Sequence, residues 1–189
     1  MLSKHSFDLV RVTEEAAIRA SSFIGKGDKN GADQAGVDGM RQMLGQMDIR
    51  GTVVIGEGEI DEAPMLYIGE EVGCGDENSI EVDIAVDPVE GTNLVANANN
   101  NSIAVLAMAP KGGFLHAPDM YMEKLAAGPE ALGLLSLDNS VEENLKALAN
   151  AKGVEIKDLV VAVLNRERHQ GIIDDIRKAG ARIHLYSDG

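Results

Sequence analysis

With 189 residues, 44% of them hydrophobic and 25% charged, the chain has the balance of a soluble globular protein with one good core or two small ones. Its net charge of −14 argues against nucleic acid as a partner, and admits a phosphorylated metabolite only if divalent cations sit between carboxylates and phosphate. Cys74 is the only cysteine, so an internal disulfide is excluded and a reducing cytoplasm is the expected compartment; no apolar signal core opens the sequence and no run approaches membrane length.

Leu9, Val12, Ala16, Ala20 and Phe23 recur at helical spacing, with Ser6 or Asp8 as candidate cap and Gly25 as the stop. A polar, Gly-rich loop is expected from Gly25 to Asp33, then a second amphipathic helix on Val37, Met40, Leu44 and Met47. Gly51 to Ile55 reads as a short buried strand ending in Gly56-Glu57-Gly58-Glu59-Ile60-Asp61-Glu62. Ile80, Val82, Ile84 and Val86 alternate on one face of a further strand, and Ser102 to Ala109 predicts another, closed by the turn Pro110-Lys111-Gly112-Gly113. Met120 to Leu125 fits helix and strand equally well.

After about Ser136 the pattern changes. Ser140-Val141-Glu142-Glu143 is a capping box for a helix carrying Leu145 and Leu148 and stopping at Gly153. Leu159 to Leu164 is an unbroken apolar run, the pattern of a strand buried on both faces. A helix around Ile172, Ile173 and Ile176 ends at Gly180, and Arg182 to Tyr186 predicts a strand. Together these form a βαβ unit and imply a parallel strand pair. The fold class is therefore α/β: an α+β first domain over 1–135, then the beginning of a second, parallel domain over 136–189.

The most informative stretch is Asp87-Pro88-Val89-Glu90-Gly91-Thr92, at the C-terminal end of the Ile80 to Val86 strand. Pro88 removes a ladder donor and is expected to end the strand, which places two carboxylates and a hydroxyl in a tight turn. Carboxylate oxygens suit hard cations such as Mg²⁺ and Mn²⁺, and a neighbouring hydroxyl can orient an attacking water. The plain alternative is an acidic turn that starts a helix. Asp33, then Glu57 with Glu59 and Asp61, then Asp87 with Glu90 follow separate regular elements in Gly-rich settings. Two cations about 3.5–4 Å apart need several carboxylates converging from different directions, which such elements can supply.

Competing motifs fail on spacing. Asp28 to Asp33 resembles the start of an EF-hand loop, but Ala32, Asp33 and Gly39 stand where a ligand, a glycine and a bidentate glutamate belong. His5, His116, His169 and His184 show no metal-ligand spacing, and neither a dinucleotide fingerprint nor a phosphate-cradling Gly-Lys-Ser/Thr is present. Arg166-Glu167-Arg168-His169 follows the Leu159 to Leu164 strand, where open α/β sheets bind ligands, and arginine forks match phosphate oxygens. The alternative for these arginines is a solvated turn paired with Asp174 or Asp175.

The Asp87 to Thr92 run resembles the metal-binding signature of the lithium-sensitive, Mg²⁺-dependent sugar and inositol phosphatases. Gly27-Asp28-Lys29-Asn30 with Asp33, Val54-Ile55-Gly56-Glu57-Gly58-Glu59 with Asp61 to Tyr67, and Ala117 to Leu125 resemble class II fructose-1,6-bisphosphatase more closely. The similar runs cover most of residues 9 to 189. The resemblance implies a layered sugar-phosphatase fold that removes the 1-phosphate of fructose 1,6-bisphosphate in gluconeogenesis, with sedoheptulose 1,7-bisphosphate as a second substrate in some relatives. It implies Mg²⁺ or Mn²⁺, with Asp33 and Glu57 at one cation and Asp87 and Glu90 at another. It assigns catalysis to Thr92 and Asp61, and substrate contacts to Glu90, Gly91, Thr92, Tyr121, Arg166, Glu167, Arg168, Asp188 and Gly189. A small-molecule sugar bisphosphate is the implied partner of a homo-oligomer, with neither nucleic acid nor membrane. Glu167 departs from the proline usual between the two basic residues, and family members continue beyond Gly189 with a further acidic ligand. The readings left open beside this one are an inositol-phosphate or other sugar phosphatase, and a non-catalytic fragment or regulatory metal-binding relative.

Overall fold

The apolar spacing that opens the chain produces two amphipathic helices. In the computed structural model, which describes residues 2–56, 66–117 and 120–188, α1 spans Ser6–Ser21 and α2 spans Lys29–Leu44. Neither expected cap forms on α1. The helix continues from a 3-10 turn, Leu2–His5, so its first turn is entered from helical backbone, and the Ser6 hydroxyl donates to Ser3 O instead. It ends at Ser22, ahead of Gly25, whose φ of +72° turns the following loop. The Gly-rich loop is shorter than its composition suggests. Asp28 caps α2, its Oδ1 accepting from Gly31 N–H at 2.8 Å, so Asp33 rides on a helix and not in a loop.

The two helices pack closely because α2 presents Gly39 to α1. A Cβ there would lie 2.9 Å from Glu15 O and 3.1 Å from Ala16 Cα, both backbone atoms. Val12, Ala16, Val37, Met40 and Leu44 form one core with the sheet beneath. That sheet has the order β2-β1-β3-β4, with β1 Arg50–Ile55, β2 Glu71–Val72, β3 Glu81–Glu90 and β4 Ile103–Pro110. β1 runs parallel to β3, while β2 and β4 pair antiparallel. The alternation read from the sequence holds: Val82, Ile84 and Val86 are buried against the helices, while Asp83, Ala85 and Asp87 take the other parity.

Pro88 does not end β3. The strand runs on to Glu90, because pairing to β1 has already stopped at Ala85 and the β3–β4 register shifts between Asp87 and Glu90. A proline in such an irregularity removes no ladder bond. β3 then passes through Gly91 into α3, Thr92–Ala96.

The chain divides into two compact units, Met1–Met120 and Tyr121–Gly189, each considered by itself here. Met120 to Leu125, which straddles the division, forms neither helix nor strand. The capping box forms as expected: Ser140 Oγ accepts from Glu143 N–H, and Glu143 accepts from Ser140 N–H, opening α4, Val141–Lys152. β5, Val160–Leu164, pairs in parallel with β6, Arg182–Tyr186, through α5, Gln170–Ala179. Val161, Val163 and Ile183 pack on Leu145, Ala149 and Ile176. The expectation of burial on both faces is not met: Val160 is 57% exposed, because the described elements cover one side of this two-stranded sheet. Among the described residues no helix is long and apolar enough to cross a membrane.

Gly39→Ala tests the helix contact. Alanine gains about 1 kcal/mol in helix propensity, but overpacking against fixed backbone costs typically 1–3 kcal/mol. Urea denaturation is expected to show a net loss of about 1 kcal/mol; a gain in stability would mean that the helices separate freely.

Candidate metal centre and phosphate-binding residues

One turn beyond Asp33 on α2 lies Gly36, and its missing side chain decides where Asp33 ends up. A Cβ at Gly36 would stand 2.4 Å from Val89 Cγ2 and 3.3 Å from Pro88 O, so only glycine lets the end of β3 close on the helix. Ala20, Ala32, Val89 and Val95 seal that contact as a small apolar cluster. Asp33 is thereby brought near enough to Asp87 for the second charge to act on the first.

Asp87 turns one carboxylate oxygen back on its own chain, where Oδ1 accepts from Val89 N–H at 3.1 Å. The carbonyl of Glu90 accepts from the Ser102 hydroxyl at 2.9 Å, tying the register shift to the start of β4. Gly91 takes a left-handed conformation, φ +84°, which reverses the chain and sets Thr92 as the first residue of α3. Thus the segment forms a strand end and helix start instead of an isolated tight turn. Asp33, Asp87, Glu90, Gly91 and Thr92 all belong to this part of the first unit. Glu57 and Asp61, with Glu59, lie outside the described residues, as does Gly189.

The electrostatics of Asp33 are unfavourable for a bare carboxylate. Burial raises its pKa above the ordinary carboxylate range, and the neighbouring charge of Asp87 raises it further. Its Oδ1 is buried and has no hydrogen-bond partner among the described residues. A buried polar atom left unpaired costs free energy, and beside a second carboxylate the cost rises. A hard divalent cation satisfies the orphan oxygen and cancels the repulsion together, so the donor set fits such an ion. Among the described residues no group of three or more His, Cys, Asp or Glu is gathered tightly enough to hold a metal alone.

In the second unit the predicted residues group around the C-terminal ends of β5 and β6. Asn165 N–H donates to Tyr186 O at 2.7 Å, and Arg166 donates through Nη1 to Ser187 O at 2.7 Å and through Nη2 to Asp188 Oδ1. Arg166 therefore pairs with Asp188, not with Asp174 or Asp175. The Arg168 guanidinium lies 4.1 Å from the centre of the Tyr121 ring, and that ring is 82% exposed. Glu167 is exposed and opens the 3-10 turn Glu167–His169. His169 Nδ1 stands 2.9 Å from Leu164 O, an arrangement that requires the proton on Nδ1. Gly36 was missed by sequence reasoning. Its signal was a glycine inside a helical repeat, where one is costly unless something must approach closely.

Because the Asp33 pKa is raised on folding, the folded metal-free state holds that proton more tightly than the unfolded chain does. This contribution is complete below the ordinary carboxylate range and is lost as pH rises through the elevated value. In EDTA, melting temperature is expected to rise on mild acidification from neutral pH. Asp33→Asn should raise the neutral-pH melting temperature by a few degrees and flatten that slope, while weakening Mn²⁺ binding. Thermal melts across pH, with and without Mn²⁺, check both halves; a variant that melts lower in EDTA would contradict the assignment.

Comparison with known proteins gives the family. The family described as "Bacterial fructose-1,6-bisphosphatase, glpX-encoded" matches residues 3–189. A Synechococcus protein (strain JA-2-3B'a(2-13)), named D-fructose 1,6-bisphosphatase class 2/sedoheptulose 1,7-bisphosphatase, is 52% identical over 199 residues, covering 100% of this chain and 57% of its own length. A Thermosynechococcus vestitus protein of the same name is 54% identical, covering 96% of this chain and 55% of its own length, and one from Synechocystis is 50% identical, with 100% and 58% covered. The chain thus spans a little over half the length of these curated relatives, and across that span it belongs to the glpX-type, class II fructose-1,6-bisphosphatase family.

Proposed function

We propose that the protein containing these residues is a metal-dependent phosphomonoesterase that hydrolyses the 1-phosphate of fructose 1,6-bisphosphate to fructose 6-phosphate and phosphate. The observation that carries this reading is the buried, unpartnered Asp33 Oδ1 held beside Asp87, one strand end away from Gly91 and Thr92. Sedoheptulose 1,7-bisphosphate is a second proposed substrate, because the name of the relatives includes that activity.

In this reading Asp33 and Glu57 hold one cation, Mg²⁺ or Mn²⁺, and Asp87 and Glu90 hold a second. Bound there, divalent ions neutralise phosphate charge and activate water for attack. The chain's own groups do the positioning. Thr92, fixed at the start of α3 by the left-handed Gly91, orients the attacking water with help from Asp61, and no covalent intermediate is involved. The water oxygen bonds to phosphorus, the bond from phosphorus to the C1 oxygen breaks, and that oxygen leaves as the sugar hydroxyl after gaining a proton. Glu90 and Gly91 also contact substrate. Tyr121, Arg166 to Arg168, Asp188 and Gly189 are assigned separately to sugar-phosphate recognition. The protein is proposed to act in the cytoplasm as a homo-oligomer.

Phosphate release from fructose 1,6-bisphosphate, sedoheptulose 1,7-bisphosphate and inositol phosphates, measured on the full-length protein with Mg²⁺ and with Mn²⁺, tests the assignment. EDTA should abolish turnover, and Asp87→Asn should lower kcat by at least about a hundredfold at unchanged fold. Arg168→Ala is expected to raise KM more than it lowers kcat. Turnover by Asp87→Asn in EDTA would overturn the mechanism, and cation binding without any turnover would favour a regulatory relative.

A further inference from the structure

We infer that Arg41 and Glu70 are positioning residues for the metal centre, holding α2, the helix that carries Asp33, against β1 and the chain that returns beside it; this rests on the metal-centre reading above. Arg41 lies on α2, further along the helix that carries Asp33. Its guanidinium grips Glu70 in a fork, Nε to Oε1 at 2.6 Å and Nη2 to Oε2 at 2.9 Å, and Glu70 Oε2 also accepts from Tyr67 N–H at 3.3 Å. The glutamate side chain is only 11% exposed.

Backbone bonds fix the same point to β1. Val53 N–H donates to Glu70 O at 2.9 Å, and Gly69 N–H donates to Val53 O at 2.7 Å. The chain leaves β1 at Gly56 and returns at the fully buried Leu66. A Cβ on Gly56 would lie 2.2 Å from Leu66 O, so exit and return are in direct contact. The helix that presents Asp33 is therefore clamped, through one ion pair, to the chain that pairs with β1.

Stability alone is a poor reason for such a pair. Desolvating two charges offsets most of their attraction, and apolar replacements of a buried pair are often neutral. What a bidentate fork supplies is geometry. Groups that hold metal ligands in place typically cost 10–100-fold in metal affinity when removed.

The test is Mn²⁺ titration calorimetry on the full-length protein, with melting temperature and circular dichroism recorded for every variant. Arg41→Met and the near-isosteric Glu70→Gln should each weaken Mn²⁺ binding about tenfold or more. The double variant should lose little beyond either single one, and Arg41→Lys should recover part of the affinity. Arg50→Met, which breaks the exposed Arg50–Glu81 pair, should leave affinity unchanged. Where Arg41→Met fails to fold, Glu70→Gln and Arg41→Lys decide. Folded variants with parental affinity, or an equal loss in Arg50→Met, would overturn the inference. A parent that binds no Mn²⁺ overturns the metal-centre reading itself and this inference with it.

Discussion

Two carboxylates on different elements, Asp33 and Asp87, are brought together where burial has removed part of the water around Asp33, and the packing of α2 on the end of β3 is what brings them together. Like charges repel more strongly in a medium less polar than water, so the partly buried Asp33 feels Asp87 more than it would in open solvent. Moving α2 and β3 apart would relieve the repulsion if their packing allowed it. It does not, because Gly36 admits Val89 and Pro88 against α2, and Ala32 and Val95 pack the same contact. Apolar packing thus supplies the free energy that keeps an unfavourable charge arrangement in place. Stored strain of this kind belongs at a binding site, since a cation converts the cost into affinity.

Much of this was legible in the amino-acid order, and the reason is periodicity. The strand Ile80 to Val86, the capping box at Ser140 and the parallel pair flanking α5 all rest on local rules, namely side-chain alternation, a reciprocal cap and glycine stops, and these survive folding unchanged. The errors fell where a tertiary contact overrides a local rule. Pro88 was expected to break a strand, but its neighbours had already released the ladder bond that it cannot make. Asp33 was expected in a loop because glycines surround it, yet the Asp28 cap starts the helix before those glycines can end it. Leu159 to Leu164 announced burial on two faces, whereas the described elements cover one.

The site was legible as a set of residue types and not as a geometry. Spacing alone marked Asp87 and Glu90 as paired carboxylates, but the partner Asp33 is distant in sequence, and only the shape of α2 against β3 joins them. Gly36, Arg41 and Glu70 carried no chemical signature of their own. Their meaning lies in what they touch: a strand end in one case, each other and the chain beside β1 in the others.

The two arginines of the second unit show how similar residues take different tasks. Arg166 is committed to Ser187 O and Asp188, so its charge is largely matched within the protein and its effect is to hold the ends of β5 and β6 together. Arg168 lies over the face of Tyr121, and among the described residues no carboxylate pairs with it. A ring face attracts a cation without neutralising it. In a chain of net charge −14, a cation that keeps its charge is the scarcer resource for an anionic ligand. Under the proposed function, Arg168 is therefore the freer of the two to meet a phosphate, while Arg166 also holds the ends of β5 and β6 together.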